Sequence, residues 1–179
     1  VLLCVDEAYY DFGIHAGGPD VLKILKTRKG PWITVFTFSK AYAMAGMRIG
    51  YALCSDENLA QALQKTTCVF NVPLLAQYAG EAALLDTDYL DFILTQIAAG
   101  RDQIFEGLRG LGLDPFPSVT NFVSTPISGN GREMVKLMLE KGIQINAWAD
   151  AGYENNIRIT VGTEEDNSAC IATLKEALA

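Results

Sequence analysis

A chain of 179 residues, half of them hydrophobic, can bury a sizeable core and has room for one domain or two small ones. Its formal charge of −7 comes with no basic stripe and argues against nucleic acid or an anionic membrane as the main partner. With one histidine, His15, a histidine-based zinc site or a Ser-His-Asp triad could be built only around that residue, which makes metal or serine chemistry improbable.

Taken in chain order, the apolar run Val1-Leu2-Leu3-Cys4-Val5 opens directly as a strand with neither Met nor cap ahead of it, which reads as a piece of a longer protein. His15 follows in the Gly-rich turn Ile14-His15-Ala16-Gly17-Gly18-Pro19 and is read as a loop residue. Further strands are expected over 33–38, 49–53, 119–125, 143–146 and 157–161, each β-branched or aromatic and bounded by turn signals. Helices are expected over 56–65, over the Ala/Leu-rich 74–85, and over 88–111. In the last of these Leu90, Ile93, Leu94, Ile97, Ile104, Leu108 and Leu111 recur at three- and four-residue steps, while Asp91, Gln96, Asp102 and Glu106 stay polar. A helix over 132–141 stops at Gly142, and one over 164–178 opens with Glu164, Glu165 and Asp166, suited to the positive end of a helix dipole. Alternating strands and helices favour an α/β architecture in two lobes, with a boundary near residue 100. No run of about 18 apolar residues is present to suggest a transmembrane span. Cys4, Cys54, Cys68 and Cys170 sit among apolar neighbours with no C-x-x-C pair, so they are expected to be four buried free thiols in a reducing cytosol.

The chemistry concentrates around Lys40. It follows the run Ile33-Thr34-Val35-Phe36-Thr37-Phe38 and Ser39, and precedes Ala45-Gly46-Met47-Arg48-Ile49-Gly50-Tyr51. An amine in a bend after a buried strand, with a guanidinium beyond a Gly-containing turn, suits a Schiff base beside a phosphate and points to pyridoxal phosphate. Such a cofactor needs an amine for its aldehyde, an acid for the pyridine nitrogen, a donor for the phenolate oxygen and an anion site for the phosphate. Lys40 is the candidate amine; a lone Ser-Lys pair would otherwise be a solvent-exposed loop lysine. Asp6 is the candidate acid, against the plainer reading of a cap at a strand end. Tyr9 or Tyr10 could supply the phenolate donor, and spacing does not choose between them. Arg48 offers a planar fork for phosphate, with Thr37 and Ser39 as hydroxyl donors, although Thr37 could equally be an ordinary strand residue. Arg158, set between apolar residues in Ile157-Arg158-Ile159-Thr160-Val161, is costly if buried without a partner and routine if it faces outward.

Val5-Asp6-Glu7-Ala8-Tyr9, Thr37-Phe38-Ser39-Lys40, Asn71-Val72-Pro73-Leu74-Leu75-Ala76-Gln77, Thr120-Asn121-Phe122-Val123 and Ile157-Arg158-Ile159-Thr160-Val161-Gly162-Thr163 together resemble the fold-type I aminotransferases, most closely the histidinol-phosphate aminotransferase subgroup. The resemblance implies the C-terminal half of such a chain. Residues 1–97 would be the second half of a cofactor-binding large domain with a mostly parallel sheet, and 98–179 a small α/β C-terminal domain. It implies pyridoxal 5'-phosphate held by Asp6, Tyr9, Thr37, Ser39, Lys40 and Arg48, with Lys40 catalytic, and an anionic substrate gripped by Arg158 beside Asn121. The reaction implied is transfer of an amino group between an amino acid or histidinol phosphate and a 2-oxo acid, with 2-oxoglutarate and glutamate as the expected pair, in a cytoplasmic homodimer. Decarboxylation on the same fold, or a non-catalytic α/β scaffold, are the competing readings. Asn146 stands where the subgroup commonly carries an arginine, which weakens the case for a phosphorylated substrate. The subgroup's upstream phosphate loop and ring-stacking aromatic are not found in these residues, so the segment alone is expected to turn over weakly or not at all.

Overall fold

In the computed structural model, which describes Val1 to Ala179, contacts divide the chain into two units, Val1–Leu94 and Thr95–Ala179. The first is organised by β2 (Trp32–Thr37), whose Trp32, Ile33, Thr34 and Phe36 are all buried. Strand β1 (Leu3–Asp6) pairs with it in parallel and β3 (Gly50–Cys54) in antiparallel, giving the order β1-β2-β3. The parallel sheet expected here is therefore mixed over these residues. The physical reason lies in the connection: a reversing turn between Thr37 and Gly50 returns the chain beside β2, whereas a parallel neighbour needs a crossover, usually helical. Gly50 permits the close approach, since a Cβ there would stand 2.6 Å from the Phe36 carbonyl oxygen.

Two short helices of this unit, α1 (Tyr10–His15) and α2 (Val21–Lys26), were not expected. At six residues each they are too short to display a helical apolar period. The Asp20 carboxylate starts α2 by accepting the Leu22 and Lys23 N–H groups, and His15 closes α1 rather than lying in a loop. The helices α3 (Glu57–Thr66) and α4 (Leu74–Leu85) fall where the periodicity places them. In α4 the buried Gly80 faces Ile49, where a Cβ would come within 2.9 Å of the isoleucine side chain.

Helix α5 (Thr87–Gly110) contributes residues to both units. In the second unit its Ile104 and Leu108 are fully buried with Val123, Met138, Ile157 and Leu174, while Asp102 and Glu106 are exposed. That core is closed by an antiparallel sheet in the order β4 (Phe122–Pro126), β6 (Asn156–Thr160), β5 (Asn146–Ala147), and by α6 (Gly131–Glu140) and α7 (Glu164–Leu178). The strand expected over 143–146 shrinks to two paired residues because Ile143 and Ile145 pack into the core ahead of the pairing. A capping box between Thr163 and Asp166 starts α7. Behind it the buried Asn167 accepts the Gly162 N–H at 2.9 Å and donates to Gln103 at 2.9 Å.

All four cysteines are free, but only Cys170 is buried. Cys4 and Cys68 are exposed and Cys54 is intermediate, because apolar neighbours in sequence do not ensure a covering layer: Cys4 and Cys54 sit on β1 and β3, the two outer strands of their sheet, and Cys68 in the connection after α3. Burial pushes the Cys170 thiol up to about 11. No helix is long and apolar enough to cross a membrane.

Candidate functional site

The parallel pairing of β1 with β2 decides where Asp6 goes. Asp6 lies opposite Val35, and the Glu7 N–H donates to the Val35 carbonyl at 2.9 Å, so β1 ends at the same end of the sheet as β2. Thr37, Ser39 and Lys40 leave β2 at that end. Strand β3 enters from it, with Gly50 opposite Thr37 and the Phe38 N–H on the Ile49 carbonyl at 3.2 Å, which brings in Arg48. Five expected residues thus converge at the carboxyl ends of two parallel strands, the edge where open α/β sheets bind ligands.

Within the cluster, Lys40 is exposed, its Nζ lies 5.9 Å from the centre of the Tyr9 ring, and no carboxylate pairs with it. The Thr37 hydroxyl donates to Ser39 Oγ at 2.9 Å and accepts the Ser39 N–H at 3.1 Å, tying the two hydroxyls together just before the amine. Arg48 closes a short 3-10 turn, Ala45–Met47, in the left-handed conformation at φ 52°, and its Nη1 donates to the Ala45 carbonyl at 2.7 Å. One Asp6 oxygen accepts the Ala8 N–H at 3.0 Å, leaving the rest of an exposed carboxylate available. Glu7 is held above the usual carboxylate range by burial and then by the Asp6 charge, a poor property for an acid meant to stay anionic. Nearby, Asp11 on α1, Tyr42 in the turn after Lys40 and Tyr51 on β3 influence one another electrostatically; burial pushes the Tyr42 hydroxyl up to about 12 and raises Asp11.

This donor set fits pyridoxal phosphate: an amine and a guanidinium without acid partners, paired hydroxyls for a phosphate, and one available carboxylate for a protonated ring nitrogen.

Arg158 and Asn121 belong to the second unit. Arg158 sits on β6, directly opposite Ser124 of β4 and Asn146 of β5, so these three side chains share one face of the sheet. Its guanidinium carbon stands 5.0 Å from the Phe122 ring centre and 5.6 Å from that of Trp148. Its Nε is buried with no hydrogen-bond partner, and no carboxylate pairs with it. The routine outward-facing arginine is therefore not what is found. Asn121 precedes β4 and its carbonyl accepts the Val161 N–H at 2.9 Å. Sequence reasoning missed Phe122, Ser124 and Trp148 as Arg158's surroundings. Alternation continued one residue past β5 puts 146 and 148 on one face, but only the β4-β6-β5 register joins them to 158.

Residues 1–174 match the family Aminotransferase class I and II. The chain is 36% identical over 180 residues to a histidinol-phosphate aminotransferase of Desulfotalea psychrophila, covering 99% of this chain and 47% of that protein. Among solved structures, a histidinol-phosphate aminotransferase of Sinorhizobium meliloti in complex with pyridoxal-5'-phosphate superposes with a TM-score of 0.88 at 34% identity, covering 99% of this chain and 49% of that one. An L-threonine-O-3-phosphate decarboxylase of Porphyromonas gingivalis superposes at 0.82 with 25% identity, covering 98% and 52%. The chain spans about half the length of the relatives it matches.

Proposed function

Because this chain belongs to the class I and II aminotransferases, we propose that it is the C-terminal half of a pyridoxal-phosphate-dependent aminotransferase, carrying the lysine and much of the cofactor site. The observation that supports this most is the gathering of Asp6, Thr37, Ser39, Lys40 and Arg48 at one end of the β1-β2-β3 sheet, with the lysine amine unpaired. The bound cofactor supplies an aldehyde and an electron sink; the residues do the rest. Arg48, Thr37 and Ser39 hold the phosphate, Asp6 keeps a proton at the pyridine nitrogen, and Tyr9 donates to the phenolate oxygen. Lys40 provides the amine and moves a proton at the substrate carbon. Arg158, with Asn121 nearby in sequence to Phe122, binds the substrate's anionic end. Since the chain covers about half of its relatives, turnover and homodimer formation are assigned to the full-length protein, residues 1–97 to its large domain and 98–179 to its small one.

Two arginines on two anion sites give separable outcomes. In the full-length protein Arg48→Ala should weaken pyridoxal phosphate about 10- to 100-fold, the worth of one charge-assisted hydrogen bond, while Arg158→Ala leaves cofactor affinity near its starting value. Titration of the apoprotein with cofactor measures both, and equal losses would mean that the two sites have been exchanged.

Asn146 bears on the substrate. It lies directly opposite Arg158, where an arginine would place a second cation on the same face. With asparagine there, a dianionic phosphate meets one compensating charge from this face. The full-length protein should therefore show higher kcat/KM for amino acids with a free carboxylate than for histidinol phosphate, with 2-oxoglutarate as acceptor. Asn146→Arg should move the ratio toward histidinol phosphate by about 10-fold or more. A wild-type preference for histidinol phosphate would show that the second charge comes from elsewhere. The same panel decides the alternative suggested by the decarboxylase neighbour: carbon dioxide release without amino-group transfer would select decarboxylation.

A further inference from the structure

We infer that Trp148 is a positioning residue for anion binding: its indole holds the Arg158 fork against one aromatic face without neutralising it. This rests on the reading of Arg158 as the residue that receives the substrate's anionic end.

A half-buried guanidinium in a strand is ordinarily held by a carboxylate, and such a partner would cancel the charge that a ligand needs. Arg158 has no acid partner, and its buried Nε makes no hydrogen bond. It is flanked instead by the rings of Phe122 and Trp148, at 5.0 and 5.6 Å. Aromatic faces attract a guanidinium through the ring quadrupole and carry no net charge, so they orient the cation while leaving its full charge for a carboxylate or phosphate.

Trp148 is itself fixed from two sides. Its indole N–H donates to Ser124 Oγ at 3.2 Å, across the sheet on β4, and its backbone N–H donates to the Asn156 carbonyl at 3.2 Å. Tyr153 lies against its ring at 6.5 Å between centres. Ser124 is directly opposite Arg158, so the hydroxyl that pins the indole sits beside the guanidinium that the indole holds.

The test uses the full-length holoenzyme and succinate, a non-reacting dicarboxylate, titrated by calorimetry. Arg158→Ala should weaken succinate about 100-fold, and Trp148→Ala about 5- to 30-fold, the range of a partly desolvated cation–π contact. Trp148→Phe, which keeps a ring face and loses the N–H, should recover most of the binding, and Ser124→Ala should weaken it about 2- to 4-fold through the indole. In the double variant, Trp148→Ala should add nothing to Arg158→Ala, because it acts only through the arginine. Wild-type affinity in Trp148→Ala, or a full additional loss in the double variant, overturns the role of Trp148 while leaving Arg158 as the anion site. Unchanged affinity in Arg158→Ala overturns both.

Discussion

Replacing Lys40 with alanine in the full-length protein should cut amino-group transfer by about 10²–10⁴-fold, the usual worth of a positioned proton-transfer group, with the covalent route to the cofactor lost as well. Borohydride reduction of the wild-type protein with pyridoxal phosphate should leave the label on a peptide containing Lys40, and none on that peptide in the variant. The surroundings make this a clean experiment. Lys40 is exposed and its side chain forms no ion pair, the ammonium standing 5.9 Å from the centre of the Tyr9 ring, so its removal should change stability by no more than about 1 kcal/mol. A large drop in turnover could not then be assigned to unfolding. Recovery of the label on a different lysine would remove Lys40 from the site.

Asp6→Asn should keep the labelled lysine and lose about 10²–10³-fold in kcat, because a neutral amide no longer holds a proton at the ring nitrogen. The substitution separates charge from structure. Asp6 accepts the Ala8 N–H through one oxygen, and asparagine retains an acceptor in the same place, so the turn into α1 is preserved. Near-normal turnover in a folded Asp6→Asn protein would reduce Asp6 to that turn. Absorbance of the bound cofactor and steady-state rates on one preparation check both halves of the expectation.

Much of the fold is legible in the amino-acid sequence. The apolar runs before Asp6 and Ser39 mark two strands that end in turns, and the three- and four-residue spacing from Leu90 to Leu111 marks α5, whose polar Asp102 and Glu106 are exposed. That Lys40 and Arg48 lie near each other is legible because the turn joining them is local. What stayed hidden depends on distant pairing. Nothing in the run Gly50–Cys54 states that it returns antiparallel to β2, and nothing near Trp148 states that Ser124 receives its N–H. The exposed Cys4 and Cys68 fail for a related reason, since an apolar stretch specifies a preference for cover and not the layer that provides it. The helices α1 and α2 escape because a period cannot be read from six residues.

The turn from Lys40 to Arg48 contains two of the chain's three non-glycine residues with positive φ, Ala43 at 55° and Arg48 at 52°. A side chain in that backbone region costs about 1–2 kcal/mol, and glycine would adopt it without steric cost. For backbone strain alone, glycine is the better residue at position 48. On the proposed phosphate role of Arg48, selection for heat resistance and selection for cofactor retention would pull this one position in opposite directions, and a thermostabilised descendant bearing Arg48→Gly would trade that proposed contact for relief of backbone strain.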